Sequence, residues 1–233
     1  MKLQYKFFLL LFLMAHSLML SAQAEIGVKT GINLGTFTNN GDSSDIDADL
    51  KSNLGIQLGV LTEFNINKNV AIQAEFVFIQ KGFRVSSIDT FQAQVPLIYK
   101  SKTRFVVNYF EVPVLFKYKF GNPGEIRMFA TAGPTFSYAR SAFNVIRVTA
   151  LGDTDRDRQP AELDELAYNR FEIGASIGGG VTIPVNPGGL FFEARFKMGL
   201  TNINEFGGKD KANYNRGFGV TIGYLVNLAE VED

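Results

Sequence analysis

The sequence has no cysteine and no tryptophan, and it has a single histidine, His16. Without cysteine, the chain has no disulfide framework, no thiolate metal site and no cysteine nucleophile. Acidic and basic residues are equal in number, 23 of each, so overall charge gives no electrostatic reason to expect nucleic-acid binding. Beyond residue 24, no apolar run approaches the roughly 20 residues that a membrane-spanning helix needs. These absences leave strands as the elements to look for.

The N-terminal segment has the pattern of a secretory signal peptide. Lys2 and Lys6 form a basic start, residues 7–20 form an apolar run, and Ala22 and Ala24 supply the small residues of a cleavage site. We predict that residues 1–24 are a signal peptide and that residues 25–233 form one exported domain. The alternative, an N-terminal membrane anchor, requires a longer apolar run. Because His16 lies in the predicted signal peptide, the mature chain would have no histidine.

Charged and apolar residues alternate in the stretch "FFEARFKMGLTN", residues 191–202. Glu193, Arg195 and Lys197 occupy every second position there, and apolar side chains fill the positions between, as on the two faces of a strand. Similar alternation recurs in segments of about ten residues or more, separated by polar or Gly/Pro/Asn-rich breaks. We predict eight strands, at residues 25–38, 52–64, 70–83, 104–120, 126–139, 170–183, 191–202 and 214–226.

The predicted connections alternate in length. Those after the second, fourth and sixth strands are short turns, at 65–69, 121–125 and 184–189. Those after the first, third and fifth are long, at 39–51, 84–103 and 140–169, and the connection at 204–213 is intermediate. Short turns at one rim and long loops at the other are typical of an all-β, eight-stranded, antiparallel up-and-down barrel.

Whether the apolar or the charged faces of the strands point into the barrel distinguishes a soluble protein from a membrane protein. In an exported soluble barrel of the lipocalin kind, the apolar faces would form the core and could bind a small apolar ligand. In a transmembrane barrel, the apolar faces meet lipid and the charges line the lumen. Aromatic residues lie near strand ends, as in an interfacial girdle, and glycine is frequent on the charged faces. We therefore predict a transmembrane β-barrel whose charged faces line the lumen.

Charges that face a narrow lumen must pair with one another, because unpaired buried charge is costly. Ten side chains on the predicted inward faces form such a lumen charge network: Lys29, Glu75, Lys81, Glu111, Lys117, Arg127, Glu172, Glu193, Arg195 and Lys197. Both signs are present in near balance. Eight strands leave room only for side chains, so we predict that this network fills the lumen.

The sequence offers little support for catalysis, a cofactor or a metal. Outer-membrane barrel enzymes generally depend on a histidine base, and a carboxylate pair such as Glu75 and Glu111 is better explained by the ion network. Alternate aspartates at 42–50 and 152–159 resemble calcium loops, but Leu50 and Arg158 stand where such loops need glycine. We predict solvated acidic loops at both places. "PAELDELAY", residues 160–168, favours a short helix because proline and acids suit a first helical turn.

Five runs in order resemble the PorT-like outer-membrane β-barrel family of Gram-negative bacteria. They are "QAEFVFIQKG", "NYFEVPVLFKYKF", "FATAGPTFSY", "RFEIGASIGGGV" and "FKMGLTNI". The resemblance implies an eight-stranded outer-membrane barrel. One branch of that family takes part in protein secretion, and no catalytic residues carry over. Members usually end on an aromatic residue, whereas here the last strand, "GYLVN", is followed by "LAEVED".

The function predicted from these patterns is that of a non-enzymatic integral outer-membrane protein. It would act as a structural or interaction component through its long surface loops, with a link to protein secretion or envelope assembly. Its partners would be outer-membrane lipid and a protein bound at the loops, with no cofactor and no nucleic acid. Two alternatives stay open: the exported soluble carrier of a small apolar ligand, and a narrow pore.

Overall fold

The computed structural model describes residues 23–39, 51–91, 97–150, 153–166, 168–203 and 212–227. These residues contain nine strands. The strands are β1 (Gln23–Asn39), β2 (Lys51–Asn65), β3 (Val70–Phe91), β4 (Leu97–Phe120), β5 (Arg127–Ala150), β6 (Asp153–Ala161), β7 (Phe171–Val185), β8 (Gly188–Gly199) and β9 (Asn213–Asn227).

Eight of these strands close into a ring of antiparallel neighbours. The order around the ring is β1–β2–β3–β4–β5–β7–β8–β9, and β9 pairs with β1 to complete it. The ninth strand, β6, pairs with the outer half of β5 from Ala142 to Ala150 and stands outside the ring. The predicted all-β, eight-stranded, antiparallel up-and-down barrel is therefore confirmed.

The faces of the strands are arranged as the alternation predicted. In β8, Glu193 and Arg195 are each 3% exposed, whereas Phe192 is 41% exposed and Phe196 37%. The same inversion runs around the ring, with Val28, Leu58 and other large apolar side chains on the outside. A charged interior and an apolar exterior are the arrangement of a transmembrane barrel. The soluble carrier with an apolar interior is therefore wrong.

One end of the barrel, the short-turn end, is closed by tight connections at 66–69, 121–126 and 186–187. In the first of them, the Asn67 side chain accepts hydrogen bonds from the backbone N–H groups of Asn69 and Val70, each at 2.9 Å. Asparagine side chains stabilise turns in this way. The three predicted short turns are confirmed. We call the opposite end the long-loop end.

At the long-loop end, the prediction of long loops at 84–103 and 140–169 is largely wrong. The β3–β4 ladder continues outward to the pair Phe91 and Leu97, and β4 and β5 stay paired as far as Tyr99 and Ala150. With β6 on the edge, these segments form a four-stranded sheet extension of residues 83–91, 97–106, 142–150 and 153–161. Backbone pairing carries the strands past the lipid, where no apolar face is needed to keep them in register.

The predicted helix at 160–168 is also wrong. Pro160 lies in β6 and pairs with Phe143, and residues 163–166 form a turn. A single bond of helical spacing forms there, from the backbone N–H of Leu166 to the carbonyl of Glu162 at 3.2 Å. Because Pro160 pairs with β5 as part of an edge strand, it does not begin a helix.

Several predictions fall outside the described residues. They include most of the signal peptide at 1–24, the acidic stretch at 42–50, most of the 204–213 connection and the C-terminal tail. The second acidic stretch is described and is a strand rather than a loop, since Asp153, Asp155 and Asp157 lie in β6. Among the described residues, no helix is long and apolar enough to span a membrane.

Candidate functional site: the charged lumen

A central cluster of four charged side chains spans the lumen. Arg195 on β8 donates to both carboxylate oxygens of Glu75 on β3, at 2.8 and 3.1 Å, and to Glu193 at 2.6 Å. Lys29 on β1 contacts Glu75 at 2.5 Å and Glu193 at 3.8 Å. All four side chains are buried. Two cations therefore face two anions, and the bidentate Arg–carboxylate contact fixes the geometry as well as the charge.

A long-loop cluster lies nearer the long-loop end. Lys81 Nζ is 3.0 Å from Glu111 and 3.3 Å from Glu172, and Lys197 Nζ is 2.8 Å from the other oxygen of Glu111. Hydroxyl and amide groups complete the contacts: Ser137 donates to Glu111 at 3.1 Å, and Asn215 donates to Glu172 at 2.7 Å. This cluster also pairs two cations with two anions.

A short-turn cluster lies toward the other end. Lys117 Nζ contacts Glu63 at 2.6 Å, and Lys119 forms a second ion pair with the same carboxylate. Lys117 also lies over the ring of Phe129, 4.2 Å from its centroid. A cation–π contact of this kind stabilises a cation that has left water. Glu63 and Lys119 were not part of the predicted network, although the alternation places both on inward faces.

Nine of the ten predicted network residues lie in these three clusters, and Arg127 does not. Arg127 lies at the start of β5, where its guanidinium donates to the backbone carbonyl of Lys68 at the short-turn rim. Its position in the alternation points inward, but it is too near the strand end to reach the clusters. Alternation gives the face of a residue and not its depth in the barrel.

Apolar residues also pack inside the lumen, at the long-loop end and toward the short-turn end. At the long-loop end, Leu163 and Tyr168 from the β6–β7 connection and Ile203 pack on inward residues of β3, β4 and β5; we call these three residues the apolar cap. The Tyr168 hydroxyl lies 2.5 Å from that of Tyr109, which also accepts from Asn215 at 3.1 Å. The cap is therefore bonded to the long-loop cluster.

The connection that carries the cap is fixed outside the lumen as well. Arg170 makes two hydrogen bonds of 2.9 Å to the carboxylate of Asp164. These hydrogen bonds lower the pKa of Asp164, whose side chain is exposed. The backbone N–H of Ala139 donates to the carbonyl of Arg170 at 2.7 Å. The connection is thus attached both to itself and to β5.

Toward the short-turn end, four side chains form an apolar plug: Leu61, Phe129, Phe191 and Leu225. Glycine makes room for the rings. A Cβ at Gly180 would lie 2.6 Å from Phe129 Cζ, and one at Gly223 would lie 2.5 Å from Phe191 Cε1. Both distances are too short for real contacts, so any larger residue would displace a ring or the backbone. This is the physical reason for two of the glycines on the inward faces.

Two cavities border the network. A vestibule of about 770 Å³ opens at the short-turn end, between the turns and the apolar plug, and Lys117, Lys119, Glu63 and Arg127 are among its lining residues. A void of about 10 Å³ lies in the long-loop cluster beside Lys81 and Glu111, which is space for about one water molecule. Phe129 and Leu225 of the plug also line the vestibule, which therefore ends at the plug.

Among the described residues, no group of three or more His, Cys, Asp or Glu side chains is placed to hold a metal ion. The carboxylates Glu75 and Glu111, considered as an acid/base pair, belong to different clusters, and each is held by two cations. In β6, Asp155 and Asp157 contact their neighbours Arg156 and Gln159 through hydrogen bonds of 2.8 Å.

The ring of strands is closed, its exterior faces lipid and its lumen is charged. Together these features define an integral outer-membrane β-barrel. The model of the outer membrane protein beta-barrel domain family matches residues 17–205, and the chain belongs to this family. It is therefore a membrane-embedded protein of the outer membrane of a Gram-negative bacterium. No curated protein matches the chain.

Several solved structures are similar to this chain. Neisserial surface protein A is 13% identical, with 87% of this chain and 97% of that chain covered and a TM-score of 0.43. OprG from Pseudomonas aeruginosa is 8% identical, with 88% and 97% covered and a TM-score of 0.45. Ail of Yersinia pestis is 9% identical, with 87% and 99% covered and a TM-score of 0.37. At these values the likenesses carry no argument about function.

Proposed function

We propose that this protein is a non-conducting, non-enzymatic barrel that acts as a structural or interaction component of the outer membrane. Its working surface is the long-loop end, with the sheet extension and the connections around it. In barrels of this kind, short turns face the periplasm and long connections face outward. The observation that carries the proposal is the lumen, which is filled by paired charges and closed by the apolar cap and plug.

The alternative of a narrow pore is less well supported because its path would cross three barriers. An ion entering the vestibule would meet the plug, then the Arg195–Glu75 contact across the lumen, then the cap at Tyr168. Opening such a path means breaking buried ion pairs, and each charge left unpaired is strongly destabilising.

Reconstitution in planar bilayers tests the proposal directly. Purified protein that shows the heat-dependent gel mobility of a folded barrel should give no persistent single-channel openings. A general porin inserted in the same bilayers serves as the positive control. Stable openings from the wild-type protein would favour the pore instead.

The non-enzymatic part of the proposal rests on how the lumen carboxylates are held. Glu75 and Glu111 are buried and each accepts from two cationic side chains, so neither carboxylate is open to a substrate. The vestibule reaches only Glu63 among the three clusters' acids, and that carboxylate contacts both Lys117 and Lys119. Incubation of the purified protein with peptide, ester and phospholipid substrates should therefore give no turnover above that of a heat-unfolded sample.

A role in protein secretion or envelope assembly, with a protein partner at the long-loop end, is the finer part of the proposal. The likeness of five sequence runs to the PorT-like family supports it. Removal of residues 153–161 is a suitable test, because β6 pairs outside the ring. Cells carrying this deletion should keep a folded barrel but lose secreted protein or envelope integrity. Unchanged phenotypes would count against a partner at the extension.

We further propose that residues 1–24 are removed as a signal peptide on export. N-terminal sequencing of the protein from outer membranes should begin at Glu25. Because β1 starts at Gln23, cleavage before Glu25 would shorten β1 by two residues. The pairing of β1 with β2 and β9 would remain from Glu25 onward. Finding residues 1–24 on the mature protein would contradict this.

A further inference from the structure

The sheet extension separates its charges by sign between its two faces. Neighbouring residues in "DTDRDR" alternate in side, so Asp155 and Asp157 point one way and Arg156 and Arg158 the other. Cross-strand register adds cations from β3, β4 and β5 to the arginine side. We call these six residues the basic face: Arg84, Lys102, Arg104, Arg147, Arg156 and Arg158.

Like charges lie directly opposite one another on the basic face. Arg84 pairs in register with Arg104, Lys102 with Arg147, and Arg147 with Arg156. Opposed like charges destabilise an antiparallel ladder. Within the described part of the chain, none of the six forms an ion pair with a carboxylate. The face is thus short of negative charge.

Two cations of this face are held in place by neighbouring groups. The Arg158 guanidinium lies 3.8 Å from the centroid of the Phe143 ring. Arg104 donates to Asn53 Oδ1 at 2.7 Å and to the carbonyl of Leu54 at 2.9 Å. A fixed guanidinium loses less freedom on binding an anion than a mobile one does.

The basic face continues the outer, lipid-facing side of the barrel wall. The opposite face continues the lumen, since Phe105 contacts the cap residue Tyr168 with ring centroids 6.5 Å apart. On the outer side, Gln80, Asn108 and Ser141 form a hydrogen-bonded polar belt directly beyond the apolar band. Arg84 and Arg104 lie four residues past this belt, about 9 Å along the membrane normal for a strand tilted by about 45°. Arg84 and Arg104 are therefore at the outer edge of the headgroup layer, and Lys102, Arg147 and Arg156 lie two residues farther out.

We propose that the basic face binds phosphate groups carried on the headgroups of lipids in the outer leaflet. Guanidinium groups recognise phosphate through paired hydrogen bonds, and basic residues next to a membrane attract anionic headgroups. The occupant is a membrane lipid rather than a soluble anion because the face is continuous with the lipid-contacting wall. This inference goes beyond the proposed function and stands whether or not the lumen conducts.

Lipid retention in nanodiscs tests the inference. The full-length mature protein is placed in phosphatidylcholine nanodiscs that contain either bisphosphorylated lipid A or the same lipid after enzymatic removal of its phosphates. Native mass spectrometry then counts the lipid A that stays bound on release. Wild-type protein should prefer the phosphorylated lipid by about tenfold or more. No preference in the wild type would overturn the proposal.

Substitutions locate the site. Arg104→Gln with Arg158→Gln changes two cations that lie at the same level, since both pair in register with Val145. This variant should lose most of the preference, and Lys replacements at both positions should retain part of it, because charge persists without the bidentate fork. The matched control, Lys68→Gln with Arg127→Gln, makes the same charge change at the short-turn end and should keep the preference. Heat-dependent gel mobility confirms that each variant is folded.

Two further outcomes would overturn the inference. If the control variant loses as much preference as the basic-face variant, net charge and not this face is responsible. If millimolar inorganic phosphate abolishes the preference, the face binds soluble phosphate rather than lipid headgroups.

Discussion

Arg195 and Glu75 are 120 residues apart in the sequence, and they join opposite walls of the barrel through hydrogen bonds of 2.8 and 3.1 Å. Their strands, β8 and β3, are four places apart in the ring of eight. The contact therefore spans the full diameter of the lumen. Because it is buried on both sides, its two charges depend on each other.

Removing Glu75 should therefore be the most damaging single change in the central cluster. Glu75→Ala leaves Lys29 and Arg195 facing each other with only Glu193 between them. We expect the free energy of unfolding to fall by about 3–5 kcal/mol, measured by urea titration in lipid vesicles. Glu193→Ala should lower the free energy of unfolding by less, because Glu193 lies 3.8 Å from Lys29 whereas Glu75 lies 2.5 Å from it.

A matched quadruple variant separates lost charge balance from lost packing. Lys29→Met, Glu75→Met and Arg195→Met together remove two cations and one anion, and Glu193→Gln restores neutrality. Replacement of a whole buried ion cluster by well-packed neutral side chains is often nearly neutral in stability. A quadruple variant as unstable as Glu75→Ala would show that the cluster stabilises by more than mutual compensation.

The facing of β8 yields a second prediction. Phe196 lies at mid-strand on the lipid side and is 37% exposed. Phe196→Asp should destabilise the inserted barrel by about 2 kcal/mol, because a charge at that depth must leave water for lipid. Phe196→Leu is the control and should fold and insert like the wild type. An Asp variant with unchanged unfolding in vesicles would reverse the assignment of outside and inside in this strand.

Much of this architecture follows from period-2 alternation, and the reasons for its limits are physical. Alternation assigned Glu193, Arg195 and Lys197 to the lumen because a strand's faces are fixed by sequence parity. It could not pair Arg195 with Glu75, since that contact depends on strand register and barrel shear. Arg127 shows the same limit, because parity carries no information about depth.

The sheet extension was missed for a different reason. Outside the lipid, neither face of a strand has to be apolar, so the signal for β6 was an alternation of charge sign in "DTDRDR". That pattern resembled a calcium loop when read as a list of aspartates. The cap was missed because Leu163 and Tyr168 reach the lumen from a connection, where no periodicity marks a buried residue.

Glycine in the barrel wall gives a third prediction. A Cβ at Gly223 would meet the Phe191 ring and also lie 2.6 Å from the carbonyl oxygen of Val28. Gly223→Ala should lower the free energy of unfolding by about 1–3 kcal/mol through overpacking. Adding Phe191→Leu should recover part of that loss, since it frees the ring's space and not the backbone's. Ala194→Val on the lipid face is the control, and urea unfolding in vesicles is the measurement.

The last prediction concerns the cap. It tests whether the cap closes the lumen to ions or only packs against the strands. Tyr168→Phe removes one hydroxyl from the Tyr168–Tyr109 contact and leaves Tyr109 bonded to Asn215, so we expect a loss of about 1 kcal/mol. Leu163→Ala with Tyr168→Ala truncates two of the three cap side chains and should expose the 162–170 connection to protease in intact vesicles.

Bilayer recordings of that double variant should still show no persistent conductance, because the three charged clusters and the plug remain in the lumen. Leu166→Ala is the control, since that side chain is 52% exposed in the same connection, and it should change neither proteolysis nor conductance. If this double variant opened a stable channel, the cap would be the gate and the paired charges beneath it would be permeable to ions.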